Sequence, residues 1–434
     1  MVKAIQITVL VILTSLFYFP IELVGLPGLN SKMILALLGL VFAGYEQLGS
    51  RSLSISRAFL SLILVAASVS LVSLLSITLN QTPDTSYVSY VVSFSVWLSG
   101  AYAVCFLIRS VHGAVSVRLV IDYLTVVCVL QCVSAIMIDN NPGLAGFVNS
   151  VISFGQDVPI RTKRLYGFGS MLDIAGTRFS VVLVGIGYYL SEMKHRLTFG
   201  RRILYLVAFI VITVIGNMIA RTTLVGSVIG LAVVILSFIF VPSLSGDNNK
   251  TVSFLTWASV LAIGVVICII LYNNDPAARK LFRFGFEGFF SLAEKGHWET
   301  SSTDKLTQTM IVFPETIHTW IIGDGYFANS MLDVNYLGDA TTKGYYMGTD
   351  VGYLRFIFYF GVIGLASIMW VIIYSAVICM RSFCEESPLF LFSLLVGLII
   401  WLKVSTDIFC FLSLFLGTAA LQDAIVEPQT SENA

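Results

Sequence analysis

Apolar runs long enough to cross a bilayer recur along this chain, and charged residues are concentrated in the links between them. A helix needs about 20 apolar residues to span about 30 Å of hydrocarbon. Apolar and aromatic residues make up 57% of the sequence and charged residues 12%, with a mean hydropathy of +0.90. A water-soluble domain of 434 residues needs far more charged surface than that. The pattern predicts an all-α, polytopic integral membrane protein of about twelve transmembrane helices. The runs fall at 4–24, 33–47, 58–79, 88–108, 119–138, 171–190, 203–220, 222–241, 252–272, 349–380, 389–402 and 408–422. Residues 1–434 read as a single membrane domain. Two polar segments stand out, a large loop at 273–348 and a medium loop at 139–170.

Lys and Arg are enriched in cytoplasmic links. The links holding Arg51 and Arg57, Arg109 and Arg118, the basic stretch 194–202, and Arg381 fall on one side when the runs alternate. The cation-free link NQTPDTSY falls on the other. This predicts cytoplasmic termini and places both polar loops outside. Lys3 precedes the first run without a small-residue cleavage site, the pattern of a signal-anchor helix. The medium loop breaks the charge rule, because Arg161, Lys163 and Arg164 lie on its outer side. Those cations are therefore candidates for function.

Several chemistries lack their motifs. There is no HExxH, CxxC or carboxylate–histidine spacing for a metal, and no P-loop or dinucleotide fingerprint, so neither metal nor cofactor is expected. Cys128 and Cys132 lie one helical turn apart without a histidine or acid beside them, and read as packing residues. Nucleic acid is not an expected partner, though the formal net charge of zero by itself says little about partners for a membrane protein.

A charge at mid-membrane costs roughly 2.5–3.5 kcal/mol, so charges at span ends need a reason. Arg221 sits at a hairpin turn in GNMIARTTLVG, either snorkelling to headgroups or binding an anion. Asp173 and Arg178 lie five apart at the outer start of one span, and Asp350 and Arg355 repeat that spacing at another. Lys403 and Asp407 sit at the same boundary, whereas Asp122 with Arg118 reads as a local helical pair on the cytoplasmic side. The outer charges form a belt of guanidinium forks, which bind phosphate bidentately, beside carboxylates able to act as bases toward a hydroxyl. Gly167, Gly169 and Gly176 would let a ligand approach the backbone closely. In the large loop, DPAARKLFRFGFEGFF interleaves aromatic and basic residues like a helix in the headgroup plane. SSTDKLTQTMIVF predicts a short capped helix, and GDGYF a glycine-bounded turn. His318 is a candidate base in that loop, with His297 a second histidine there.

The order RLYGFGS before a span, ARTT at a hairpin turn, then a long outer loop with WIIGDGYF followed by TDVGYLRFIFYFGVIGL resembles one family. The chain from about Arg164 to Leu365 is similar to the O-antigen polymerase and ligase superfamily of Wzy and WaaL types. The resemblance implies a GT-C-like glycosyltransferase in the bacterial inner membrane, taking an undecaprenyl-diphosphate-linked oligosaccharide at the periplasmic face. Transfer would be metal-independent and inverting, with a Wzz-like chain-length regulator and a flippase as possible partners. Arg164 and Arg221 match the family's diphosphate-holding arginines in place, with Arg178 and Arg355 as further candidates. Ligases of the superfamily carry a histidine and asparagine where this chain has Thr349 and Asp350, which favours a polymerase of O-antigen, capsule or exopolysaccharide. By that position Asp350 is the candidate catalytic base and His318 the other; Asp173, Tyr353 and Arg283 read as supporting. A ligase with the same chemistry and a twelve-helix transporter or flippase remain as alternatives. Transporters gather charge near the midplane and often show repeats, whereas here the charges gather at one face.

Overall fold

The computed structural model describes residues 2–50, 57–153, 164–191, 197–240, 247–328 and 345–430. Arg51, Arg161, Lys163, Lys194 and His195 lie outside the described residues. The described residues are helical almost throughout. The helices are α1 (Val2–Tyr18), α2 (Ser31–Ser50), α3 (Arg57–Asn80), α4 (Tyr90–His112), α5 (Val117–Asn140) and α6 (Pro142–Val151). Next come α7 (Leu172–Leu190), α8 (Phe199–Ile219), α9 (Thr223–Phe240), α10 (Asp247–Asn274), α11 (Pro276–Gly285) and α12 (Glu287–Lys295). The last are α13 (Ser301–Lys305), α14 (Ile317–Ile321), α15 (Gly352–Ser382), α16 (Ser387–Ile400) and α17 (Phe409–Thr430). One two-residue strand pair, Glu22–Leu23 with Ile152–Ser153, is antiparallel.

Among the described residues, seven helices are long and apolar enough to cross a membrane, and four shorter apolar helices accompany them. Each of the twelve runs read as spans holds one of these helices over most of its length, though the first run leaves its helix at Tyr18 and ends in the strand Glu22–Leu23. Helix is the expected state, because a backbone in hydrocarbon must satisfy its own hydrogen bonds. The segment 139–170, polar enough to be a loop by its sequence, contains α6. Asn141 caps that helix by accepting from the Leu144 amide, and Pro142 occupies its first position. The same device starts α11, where Asp275 accepts from the Ala277 amide ahead of Pro276.

By contacts the chain falls into two compact units. Unit 1 comprises Met1–Ile34, Leu107–Trp298 and Phe383–Val396, and unit 2 comprises Leu35–Phe106, Glu299–Ser382 and Gly397–Ala434. The axis of unit 1 is α7, buried along most of its length. It packs against α5, α8 and above all α9, where Gly226 and Gly230 form a GxxxG stripe. A Cβ at Gly226 would lie 2.1 Å from the Ser180 Cα, so the two helix backbones are nearly touching.

Unit 2 is built on α15, which packs against α3, α14 and α17. Its 31 residues are not one span. Phe360 (φ −146°, ψ 23°) and Gly361 (φ 70°, ψ −174°) break the helix, leaving a short first segment and a long second one. Only glycine takes the Gly361 conformation easily, and a Cβ there would meet the Ile321 carbonyl oxygen at 2.0 Å. Gly361→Ala should therefore cost more than the roughly 1–3 kcal/mol of backbone strain alone. Its melting temperature in detergent, followed by loss of the monodisperse chromatographic peak, should fall well below wild type. Gly44→Ala, where an added Cβ meets nothing within 4 Å, should not fall. Equal melting of the two variants would show that the break is not fixed by Gly361.

Candidate functional site

Unit 1 gathers charge at the start of α7. Arg221 stands in the tight turn between α8 and α9, after Ala220 ends the first helix. Its guanidinium pairs with the Glu287 carboxylate at 2.5 Å and lies over the Phe284 ring at 4.4 Å from the centroid. Arg164, from the RLYGFGS stretch, lies over the same ring at 5.1 Å. Asp173, in the first turn of α7, accepts from the Thr222 hydroxyl at 3.3 Å. Burial pushes the Arg221 guanidinium below the usual arginine range. The Glu287 and Asp173 charges oppose that shift, and the Arg164 charge adds to it. The residue ahead of Asp173, Leu172, has a left-handed φ of 53°, a conformation disfavoured for a branched side chain.

Arg164, Arg221 and Asp173, three residues singled out from the sequence, thus meet in one cluster. Arg178 stands one turn further along α7; its guanidinium lies over Phe19 at 5.6 Å, and its carbonyl accepts from the Tyr18 hydroxyl. Arg283 is exposed, pairs with Glu294, donates its Nε–H to the Tyr272 hydroxyl oxygen at 3.2 Å, and lies over Phe290. The glycines also differ from expectation. Added Cβ atoms at Gly167 and Gly169 would strike Ser170, Gln131 and the Phe19 carbonyl, and one at Gly176 would strike Thr222. These glycines admit neighbouring protein, not a ligand. Gln131 donates to the Phe168 carbonyl at 2.7 Å and so pins this stretch.

Unit 2 holds the other candidates. Asp350 and Arg355 form the expected pair, at 3.8 Å. The Arg355 side chain is 7% exposed, and its guanidinium lies 3.7 Å from the Phe327 centroid and 3.9 Å from that of Tyr345. Its Nη1 donates to the Ser405 hydroxyl at 2.5 Å and its Nη2 to the Phe327 carbonyl at 3.1 Å. Two rings and two acceptors occupy this guanidinium, so it fastens loop to helix. Tyr353 donates to the Leu398 carbonyl at 2.9 Å and packs on Trp401. His318 is exposed on α14.

The GDGYF turn is the element that organises this unit. Asp324 and Gly325 donate their amides to the Phe358 and Tyr359 carbonyls at 2.6 and 3.1 Å. Ser76 adds a bond to the Tyr359 carbonyl at 2.8 Å, and Asn80 and Thr82 donate to the Gly323 and Gly325 carbonyls, both at 2.9 Å. Asp324 in turn accepts from Thr319 and Tyr346. Asp84, in the cation-free link, accepts from the Phe327 and Ala328 amides at 2.8 and 3.2 Å.

Phe284, Glu287, Asp84, Asp324 and Ser405 were not singled out from the sequence. Glu287 and Phe284 lie in the aromatic–basic stretch, whose composition gave a clue to location but not to partners. Asp324 sits between two glycines, a pattern that did predict the turn. On the cytoplasmic side by the charge rule, Asp122 does not rest on the local pair expected. It pairs with Arg201 at 3.2 Å and accepts from the Tyr205 hydroxyl at 2.5 Å, while Arg118 lies over the Tyr189 ring. Among the described residues no group of three or more His, Cys, Asp or Glu is placed to hold a metal ion. No protein-family model, curated protein or solved structure matches the chain.

If Asp84 holds the turn against α15, Asp84→Ala leaves two amides without their acceptor, at about 1–3 kcal/mol for each that stays buried. Hydrogen exchange should rise in 323–328 and stay unchanged in α7. Unchanged exchange in 323–328 would remove Asp84 from that role.

Proposed function

We propose that this chain is a membrane glycosyltransferase that joins undecaprenyl-diphosphate-linked repeat units into a surface polysaccharide, O-antigen, capsule or exopolysaccharide. The proposal places it in the bacterial inner membrane as a GT-C-like bundle of about twelve spans, with cytoplasmic termini and the Arg221 site at the periplasmic face. The observation that supports it most is the convergence of Arg164 and Arg221, 57 positions apart in sequence, on Phe284. Two guanidiniums within reach of one ring repel one another, and the cost is met when an anion sits between or beside them. A diphosphate offers two phosphoryl groups to two guanidinium forks.

In the proposed reaction an acceptor hydroxyl on an incoming lipid-linked unit attacks the anomeric carbon of the donor glycan. The new carbon–oxygen bond forms as the bond to the diphosphate breaks, with inversion at that carbon. The undecaprenyl diphosphate leaves as an anion stabilised by Arg164 and Arg221, and the hydroxyl proton passes to a carboxylate. Asp350 is our candidate for that base, carried over from the resemblance on its sequence position after Thr349 alone. Arg355 then acts as a positioning residue, and Arg178 and Arg283 serve their own units of structure. The absence of the ligase histidine before α15 favours polymerase over ligase.

The test is a gel of surface polysaccharide from cells with and without the protein. Polymerase function predicts loss of the ladder with a single repeat unit left on the lipid A core. Bare core with long chains still on the lipid carrier would make it a ligase, and an unchanged gel would sink the glycosyltransferase reading. Complementation by Arg221→Lys should leave at most about a tenth of the wild-type ladder, since one ammonium cannot replace the fork. Asp350→Asn should abolish the ladder while the protein still reaches the membrane.

A further inference from the structure

The Arg221 cluster already contains an anion of its own. Glu287 is the first residue of α12, and its carboxylate sits on the Arg221 guanidinium. Its side chain is 35% exposed against 15% for Arg221, so water reaches the carboxylate more readily than its partner. The backbone around it is uneven in its constraints. On one side Gly285 is seated on α8, where an added Cβ would lie 3.2 Å from the Asn217 carbonyl carbon. At Phe286 the helix is interrupted (φ −118°, ψ 28°), so α12 begins afresh with Glu287. On the other side Trp298 covers Gly288, where an added Cβ would lie 2.2 Å from the indole, and meets Phe289 edge-on at 5.2 Å. A break before Glu287 and an exposed indole after it are what a displaceable first turn requires.

We propose that Glu287 is a built-in counter-ion, seated on Arg221 while the site is empty and displaced by the substrate's diphosphate. This rests on reading the cluster as a diphosphate site. A carboxylate brings one charge and one pair of oxygens, whereas a diphosphate brings more charge and two groups matched to the Arg164 and Arg221 forks. The diphosphate therefore wins Arg221, and Glu287 moves away with the first turn of α12. While the site is empty, the internal carboxylate keeps two close cations from repelling one another. It also screens the site against weaker anions, because any ligand binds only the fraction of molecules in which Glu287 has left.

The full chain in lipid nanodiscs, titrated with inorganic pyrophosphate, separates the possibilities. Calorimetry gives affinity, and Trp298 emission, isolated by comparison with Trp298→Phe, reports the first turn of α12. Wild type should bind with a change in Trp298 emission. Glu287→Gln should bind about tenfold more tightly and with little Trp298 change, since nothing remains to be displaced, and Glu287→Asp should restore wild-type behaviour. Arg221-dependent binding with no tightening in Glu287→Gln, or with no Trp298 change in wild type, would overturn the counter-ion while leaving the anion site intact. Pyrophosphate binding that is absent from every variant, or indifferent to Arg221→Ala, would overturn the anion site and the counter-ion with it.

Discussion

Two carbonyl oxygens, those of Phe358 and Tyr359, set the construction of unit 2. A helix that breaks beside the bilayer frees carbonyls from their partners four residues on, and an unsatisfied carbonyl in hydrocarbon costs several kcal/mol. The break at Phe360–Gly361 is therefore tolerable only where donors are brought to it. The GDG turn brings two amides and Ser76 a hydroxyl. The turn in turn needs its own carbonyls met, and Asn80 and Thr82 at the end of α3 meet them. A polar loop is thereby tied into the membrane domain through main-chain bonds, and its side chains inherit fixed positions. Arg355 lies five residues before the break, held by rings and acceptors that the same turn delivers.

The same logic governs the charges. A buried cation needs a counter-ion, hydrogen bonds or a ring face to be stable. Arg355 receives all three. Arg221 receives a carboxylate and a ring, but shares that ring with Arg164. Both Nη atoms of Arg355 are bonded within the protein, although its Nε is buried without a hydrogen-bond partner, and in the proposed function Arg221 is the guanidinium that another anion reaches. On the proposed function, this difference, and not the mere presence of arginine at the boundary, is what separates the two guanidiniums.

How much of this could be read from residues alone follows from the range of the interactions. Helix is written into each apolar run, since a span must satisfy its own backbone. Caps are also local: SSTD does start a helix, with Thr300 accepting from the Thr303 amide. The GDG turn showed in two glycines, both of which take positive φ. Partnerships across long stretches did not show. Asp122 looked self-sufficient with Arg118 one turn away, yet Arg201 and Tyr205 from α8 hold it. Nothing in the apolar pattern of the 349–380 run reveals a break whose donors lie at Asp324 and Gly325. The close-approach glycines were read correctly as close and wrongly as open, since a sequence does not say who approaches.

The composition of the Arg221 cluster carries one step more. Two arginines and two carboxylates, Glu287 and Asp173, balance in charge, so the empty site is electrically quiet despite its burial. The two carboxylates are held unequally. Asp173 is in the first turn of α7, the most enclosed helix of unit 1, and a helix N-terminus favours its charge there. Glu287 heads a nine-residue helix that begins at a break and is covered by one exposed indole. Any anion that enters must take the place of one of them, and the weaker attachment yields first. A site assembled this way stays stable without ligand and still offers both guanidinium forks once the ligand arrives, because the energy of the internal pair is exchanged for that of the external one.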